Sequence, residues 1–177
     1  MIELLVLLFF SGIFVKIADE FSDVFEKENY FGIVFGTLYG ILLGIAISGN
    51  FIIATIWVGI ILALTLQNKL NSVAHLVGII TIALTIIFIN NFELNLALAM
   101  IYFIGSFLDE KLNDFFDFNK AKNSAGKVLK FIAKYRLITE LFAIVLAIVF
   151  AEPLYWFGVL SFDIGYQLVT MVSEKVI

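Results

Sequence analysis

The chain has 177 residues, of which 62% are hydrophobic and 15% are charged, and its mean hydropathy is +1.07. A soluble domain averages about 45–50% apolar and about 25% charged residues, so this composition predicts an integral membrane protein. The absence of cysteine excludes disulfides and thiolate chemistry, and the single His75 excludes a metal cage built from several histidines. The net charge of −4 gives no reason to expect nucleic acid as a partner.

Apolar runs of membrane-spanning length recur along the whole chain. A bilayer core about 30 Å thick requires roughly 17–25 apolar residues per helix. Seven segments satisfy or approach this length: 2–18, 30–49, 51–67, 76–91, 94–110, 137–151 and 154–172. The first is not preceded by the basic residues of a signal peptide, so it is predicted to remain as a helix. We therefore predict an all-α, polytopic bundle of about seven transmembrane helices, a single integral membrane domain over 1–177, located in the cell membrane.

Positive charge is confined to alternate breaks between these segments. The breaks at 49–50, 90–91 and 151–153 carry no lysine or arginine, and all 11 basic residues lie in or within two residues of the other breaks, or at the C-terminus. By the positive-inside rule the N-terminus is predicted outside and the C-terminus in the cytoplasm. The segment 119–136 alternates basic and apolar residues, which is typical of an amphipathic helix lying on an anionic leaflet. Its Lys127 and Lys130 could instead bind a diphosphate.

Small residues follow one face of the second predicted helix. They are Gly32, Gly36, Gly40 and Gly44, spaced four residues apart. Such a face lets another helix backbone approach closely, so it predicts a packing seam within the chain. A homodimer face or a substrate groove is the alternative.

Acidic residues recur at the predicted cytoplasmic ends of the odd-numbered helices. At an offset of 91 residues, one set matches the other: Asp19, Asp23 and Glu26 correspond to Glu110, Asp114 and Asp117. The spacing i, i+4, i+7 places each set on one helix face. The third and seventh predicted helices match the same polar spacing more weakly, at Asn68 to His75 and at Asp163, Gln167 and Thr170. The recurrence predicts a chain of repeated helical hairpins.

Carboxylates close to hydrocarbon require a counter-charge. Lys16, Lys27 and Lys111 could supply it, in which case the acids are a solvated helix end. A divalent cation could also supply it, because Mg²⁺ binds carboxylate oxygens together with water and substrate phosphate. Glu140 and Asp163 lie deeper in the last two predicted helices and suit a proton or cation path.

The stretch Asn113–Asp117 has the order NDxxD and resembles a motif of the UbiA-type intramembrane prenyltransferases. The resemblance implies a bundle of helical repeats in which aspartates hold Mg²⁺ against a prenyl diphosphate. It implies these ligands here: Asp114 and Asp117 from the first motif, and Asp19 and Asp23 from a DxxxD match to the second. Ala121 stands where the family has a further aspartate, and the two motifs occur in the opposite order.

Three classes of function follow from the sequence. The first is a Mg²⁺-dependent enzyme acting on a polyprenyl or lipid (di)phosphate, with membrane lipids as partners and no assigned catalytic residue. Its predicted metal ligands are Asp19, Asp23, Glu26, Glu110, Asp114 and Asp117, with phosphate contacts from Lys127 and Lys130. The second is a cation- or proton-coupled transporter or channel using Glu140 and Asp163. The third is a scaffold or assembly factor that depends on none of these acids, and a homo-oligomer is compatible with all three.

Overall fold

The computed structural model describes residues 1–24, 30–118 and 124–173. Over these residues the protein contains eight helices and no strand, so the predicted all-α class is confirmed. In chain order the helices are α1 (Ile2–Val24), α2 (Tyr30–Gly49), α3 (Phe51–Leu66), α4 (Val73–Ile89), α5 (Leu96–Phe118), α6 (Ser124–Lys134), α7 (Leu137–Val149) and α8 (Leu154–Ser173). Each predicted segment coincides with one helix, and α1 and α5 continue past their apolar parts through the acidic stripes.

Polar side chains mark where the apolar helices begin and end. The Asn50 side chain accepts hydrogen bonds from the backbone nitrogens of Ile52 and Ile53 at 2.9 and 3.3 Å, which starts α3. Ser72 caps α4 in the same way through the His75 nitrogen at 3.2 Å. Asn90 ends α4 in the left-handed conformation, which asparagine tolerates better than most residues. The short connections therefore come from capping chemistry that the sequence carries locally.

The glycine seam of α2 packs against α4. A Cβ atom added at Gly40 would lie 2.7 Å from the carbonyl oxygen of Gly78 and 2.7 Å from the Cβ of Thr81. Gly36 is equally close to the backbone of Ala74, so the two helix backbones are in direct contact. The seam is thus intramolecular, as predicted. Glycines also allow close approach of α1 to α8 and of α3 to α5.

The core is continuous through the bundle, while large apolar side chains also cover its outside. Leu8, Ile53, Ile56 and Tyr102 are fully buried. By contrast, Phe88 is 91% exposed, and most of the outward-facing residues of α4 and α7 are also apolar. One helix among the described residues, α2, is both long and apolar enough to cross a membrane, and α3, α4 and α7 are apolar but shorter.

Candidate functional site

Six helix ends surround one cavity of about 610 Å³. The cavity lies where the C-terminal parts of α1, α3, α5 and α8 meet the starts of α4 and α7. Its charged lining consists of three carboxylates and three cations, beside His75: Asp19, Glu110 and Asp163, with Lys16, Lys69 and Arg136. The acids that the sequence places on separate helices therefore converge in space.

Asp19 is the acceptor at the centre of a network that joins four helices. Its Oδ1 lies 2.6 Å from Nε2 of His75 on α4, and its Oδ2 accepts a 2.8 Å hydrogen bond from the hydroxyl of Tyr166 on α8. Tyr39 of α2 lies behind the imidazole, with its hydroxyl 3.3 Å from Nδ1 and donating to the His75 carbonyl at 3.2 Å. His75 and Tyr166 bind the Asp19 carboxylate directly, and Tyr39 holds His75 in place. Because Tyr39 and His75 are buried, this network fixes the position of the Asp19 carboxylate on the cavity wall.

Glu110 is held between two cations from different parts of the chain. Its Oε1 lies 3.0 Å from the Arg136 guanidinium, and its Oε2 lies 3.7 Å from Nζ of Lys69. Lys69 also donates a hydrogen bond to Asp114, one turn further along α5. These residues form a chain of alternating charge along one side of the cavity.

Both cations of this chain are stabilised in their charged form. Burial alone would lower the pKa of Lys69, but the hydrogen bond to Asp114 and the charge of Glu110 raise that pKa above its ordinary value. Burial likewise acts against the charge of Arg136, and the negative charge of Glu110 is the largest effect that raises its pKa. The site thus keeps two fixed positive charges beside its carboxylates.

The backbone around Arg136 is held in place from α5. Arg136 adopts the left-handed conformation, with φ of 53°, which costs an arginine on the order of 1 kcal/mol. Asp109 accepts hydrogen bonds from the Ile138 nitrogen at 3.1 Å, the Thr139 nitrogen at 2.8 Å and the Thr139 hydroxyl at 2.7 Å. Asp109 therefore caps α7 from a neighbouring helix, because Arg136 provides no side-chain cap of its own.

A second acidic group extends from the cavity into the bundle. The buried Glu140 carboxyl accepts a 2.6 Å hydrogen bond from the Trp156 indole nitrogen. Asp163, which lines the cavity, lies close enough to Glu140 for the two carboxyl groups to interact. The two acids therefore extend the charged lining of the cavity into the bundle.

The structure brings together some of the predicted site residues. Asp19 and Glu110 line the cavity, and Asp114 is tied to Glu110 through Lys69. Asp163, Gln167 and Thr170 share one face of α8 and all three line the cavity. Lys130 is exposed on α6 and is not among the residues that line the cavity.

Several predicted ligands fall outside what the structure describes. Asp23 and Asp117 lie in the helical backbones of α1 and α5, and their side chains are not described. The Lys127 side chain is likewise not described, and Glu26 lies outside the described ranges. Assignments to these residues remain predictions from the sequence.

The described carboxylates already have protein partners. In the described part of the chain, no three histidine or acidic side chains are grouped as they would be around a metal ion. Lys69 and Arg136 supply the counter-charge for Glu110 and Asp114, whereas Lys16 pairs with Glu20 at 2.7 Å. A metal ion could join Glu110 and Asp114 only if these two cations turned to another anion at the same time.

Sequence reasoning missed three important members of the site, Lys69, Arg136 and Tyr166. Lys69 and Arg136 were counted only as loop charges, yet both line the cavity. The Tyr166 ring lies 5.4 Å below Nζ of Lys16 and 5.6 Å from the Arg136 guanidinium, while its hydroxyl binds Asp19. A signal for Tyr166 was present, because it is three residues after Asp163 on the polar face of α8.

Comparison of the chain with protein families, with curated proteins and with solved structures found no match. The interpretation of the cavity therefore depends on its own geometry and chemistry.

Proposed function

We propose that this chain is a polytopic membrane protein whose cavity faces the cytoplasm. The apolar outer surface supports this topology, because a soluble protein exposes apolar patches of at most a few hundred Å². Phe88 and Ile148 are 91% and 74% exposed, and comparable side chains continue along α4 and α7. The basic residues lie on the side where the cavity opens between helix ends, which the positive-inside rule assigns to the cytoplasm.

The cavity is proposed to bind a complex of a divalent cation with a lipid or polyprenyl (di)phosphate, as a Mg²⁺-dependent enzyme would. The observation that supports this is the mixture of carboxylates and cations around one space, three of each among the described residues. Without ligand, Glu110 and Asp114 pair with Lys69 and Arg136. A metal–phosphate complex offers a positive centre to these carboxylates and negative oxygens to these cations, so each of the four would find a new partner.

Neither component alone would match the cavity. A bare Mg²⁺ ion would have to displace Lys69 and Arg136 from Glu110 and leave both cations without partners. A bare phosphate would leave the carboxylates uncompensated at the edge of an apolar bundle. The site therefore favours a ligand that carries both charges.

Roles can be assigned to the described residues on this basis. Glu110 and Asp114, one turn apart on α5, would hold the metal together with water and phosphate oxygens, and Arg136 and Lys69 would hold the phosphate. The bound metal would neutralise charge that develops on a departing phosphate group. Arg136 suits the phosphate because its planar guanidinium can make two parallel hydrogen bonds to such an oxyanion.

Titration calorimetry of the purified protein in detergent tests this proposal. The titrants are Mg²⁺ alone, inorganic diphosphate alone, and the two together. We expect weak binding of each alone and at least about tenfold tighter binding together, which is within the usual range for coupled ligands. Glu110→Gln and Arg136→Gln should each remove most of the enhancement, because both side chains line the cavity. Lys111→Gln is the matched control, because Lys111 is exposed on α5 and does not line the cavity.

Two results would contradict the proposal. One is that wild type does not bind the mixture. The other is that both cavity variants bind it as tightly as the wild type does. Independence from all of these residues would favour a scaffold or assembly factor.

The neighbouring acids Glu140 and Asp163 inside the bundle favour a second candidate function, proton-coupled transport. Ionisable residues inside membrane helices usually mark a pathway or a binding site. Proteoliposomes carrying a pH-sensitive dye test this by measuring proton entry under an imposed gradient. Asp163→Asn should abolish proton entry if the pair is a pathway, while Lys111→Gln should not affect it. Equal proton entry in wild type, Asp163→Asn and protein-free vesicles would exclude this candidate.

A further inference from the structure

Helix α6 carries an apolar face that the described part of the chain leaves exposed. Val128 is 59% exposed and Phe131 is 57% exposed, and Leu129 beside them is also exposed. These residues fall on one broad face of the helix by their spacing. The helix contacts α5 and α7, and the residues that follow it, Tyr135 and Arg136, line the cavity.

The opposite face of α6 is basic. Lys130 is exposed, and positions 127 and 134 share its face by helical spacing. An exposed helix with apolar residues on one side and lysines on the other can cover its apolar face at a membrane surface, where the lysines reach the headgroups.

Two features favour a lipid surface over a soluble partner as the cover of this face. Leu108 of α5 and Leu141 of α7 are also exposed, so the two helices that contact α6 present apolar side chains on their outer surfaces as well. In addition, 7 of the 11 basic residues lie between Lys111 and Arg136, and such a charge attracts the anionic lipids of the cytoplasmic leaflet.

We propose that α6 is a membrane-surface anchor that binds the anionic cytoplasmic leaflet through Val128, Leu129 and Phe131, with its lysines at the headgroups. The anchor is joined directly to the site, because Tyr135 and Arg136 follow α6 and both line the cavity. The ring of Phe131 lies 4.7 Å from that of Tyr135. Binding of α6 to the leaflet thus places Arg136 at the depth of lipid headgroups. The inference rests on the polytopic topology proposed above and not on the phosphate ligand.

The absence of cysteine allows a fluorophore to be attached at one chosen position in the full-length protein. Phe131→Cys, Lys130→Cys and Ile45→Cys are each labelled with an environment-sensitive dye and reconstituted into vesicles. The vesicles contain either phosphatidylcholine alone or phosphatidylcholine with phosphatidylglycerol. Iodide quenches dyes in water, and spin-labelled lipid quenches dyes in the bilayer. Ile45 is an exposed residue one turn before the end of α2 and serves as the control for the membrane topology.

We expect lipid quenching at position 131 and iodide quenching at position 130, with the lipid quenching at 131 stronger when phosphatidylglycerol is present. If iodide reaches both α6 positions equally while the Ile45 dye is quenched by lipid, the anchor is excluded and the topology is kept. If neither iodide nor spin-labelled lipid quenches the dyes at the two α6 positions, a protein surface covers α6 and the proposal is wrong. Equal lipid quenching in both vesicle types would overturn the anionic preference. If the Ile45 dye is not quenched by lipid, the topology itself fails, and the anchor with it.

Discussion

Arg136 combines a strained backbone with a position at the cavity, and the two effects can be separated by substitution. Glycine adopts the left-handed conformation without the steric cost that a Cβ atom brings. We expect Arg136→Gly to be more stable than Arg136→Ala by about 1 kcal/mol, since φ is 53° at this position. Thermal unfolding in detergent provides the comparison.

Both variants should bind the Mg²⁺ and diphosphate mixture equally weakly, because both lack the guanidinium. The control pair for the backbone effect is Asn68→Gly and Asn68→Ala, because Asn68 also has a left-handed backbone, with φ of 55°. A more stable Arg136→Ala than Arg136→Gly would show that the left-handed conformation is not maintained.

Asp109 is a structural residue, although it is adjacent to the predicted ligand Glu110. It is 1% exposed and accepts three hydrogen bonds from the start of α7. Asp109→Ala would leave these donors unsatisfied in a buried place, so we expect a loss of about 2 kcal/mol or more in unfolding free energy. Glu93→Ala, at an exposed position, should change stability little. A similar small change for Asp109→Ala would mean that α7 does not depend on this cap.

The packing of α2 on α4 can be tested with two glycines of one seam. At Gly40 an added Cβ would lie 2.7 Å from the backbone of α4, whereas at Gly32 the nearest atom, the Cβ of Ala74, is 3.5 Å away. We expect Gly40→Ala to destabilise the protein by about 1–3 kcal/mol through forced separation of the helices. Gly32→Ala should be neutral or slightly stabilising, because alanine favours helix over glycine. Equal thermal stability of the two variants would contradict this packing.

The helices and the glycine seam could be predicted from the sequence because nearby residues determine them. The spacing of Gly32 to Gly44 identified a seam, and the apolar runs located the helices, because both signals repeat with the period of one helix. The partner of the seam was not predictable. Helix α2 packs on α4 as well as on α1 and α3, which precede and follow it in the chain. Which helix packs on the seam depends on contacts between residues far apart in the sequence.

The site shows the same division between local and long-range causes. Asp19, Glu110 and Asp163 were found because each lies on a polar helix face with a recognisable spacing. Lys69 was missed because its partner Asp114 is 45 residues away in the sequence. The left-handed conformation of Arg136 could not be predicted from the sequence, because glycine is the residue expected at such a position. The hydrogen bonds that stabilise this conformation come from Asp109 on α5.

At the scale of the whole molecule, the proposed topology places the two ends of α5 on opposite sides of the membrane. Lys111→Cys and Glu93→Cys introduce single thiols near these ends, and both positions are exposed. We expect a membrane-impermeant maleimide to label Glu93→Cys in intact cells, and Lys111→Cys only after permeabilisation. The cysteine-free wild type provides the blank. Labelling of both positions from outside would refute the topology.

The network around Asp19 also sets an order of assembly. Asp19 is made early, but its partner Tyr166 follows 147 residues later, and Glu20 likewise waits for Ser173, 153 residues away. Because a chain is synthesised from the N-terminus onward, these acids remain without their α8 partners until the last helix is made. Docking of α8 on α1 is thus the step that completes the cavity, and a chain cut short before α8 would leave Asp19 with His75 alone and Glu20 with Lys16 alone.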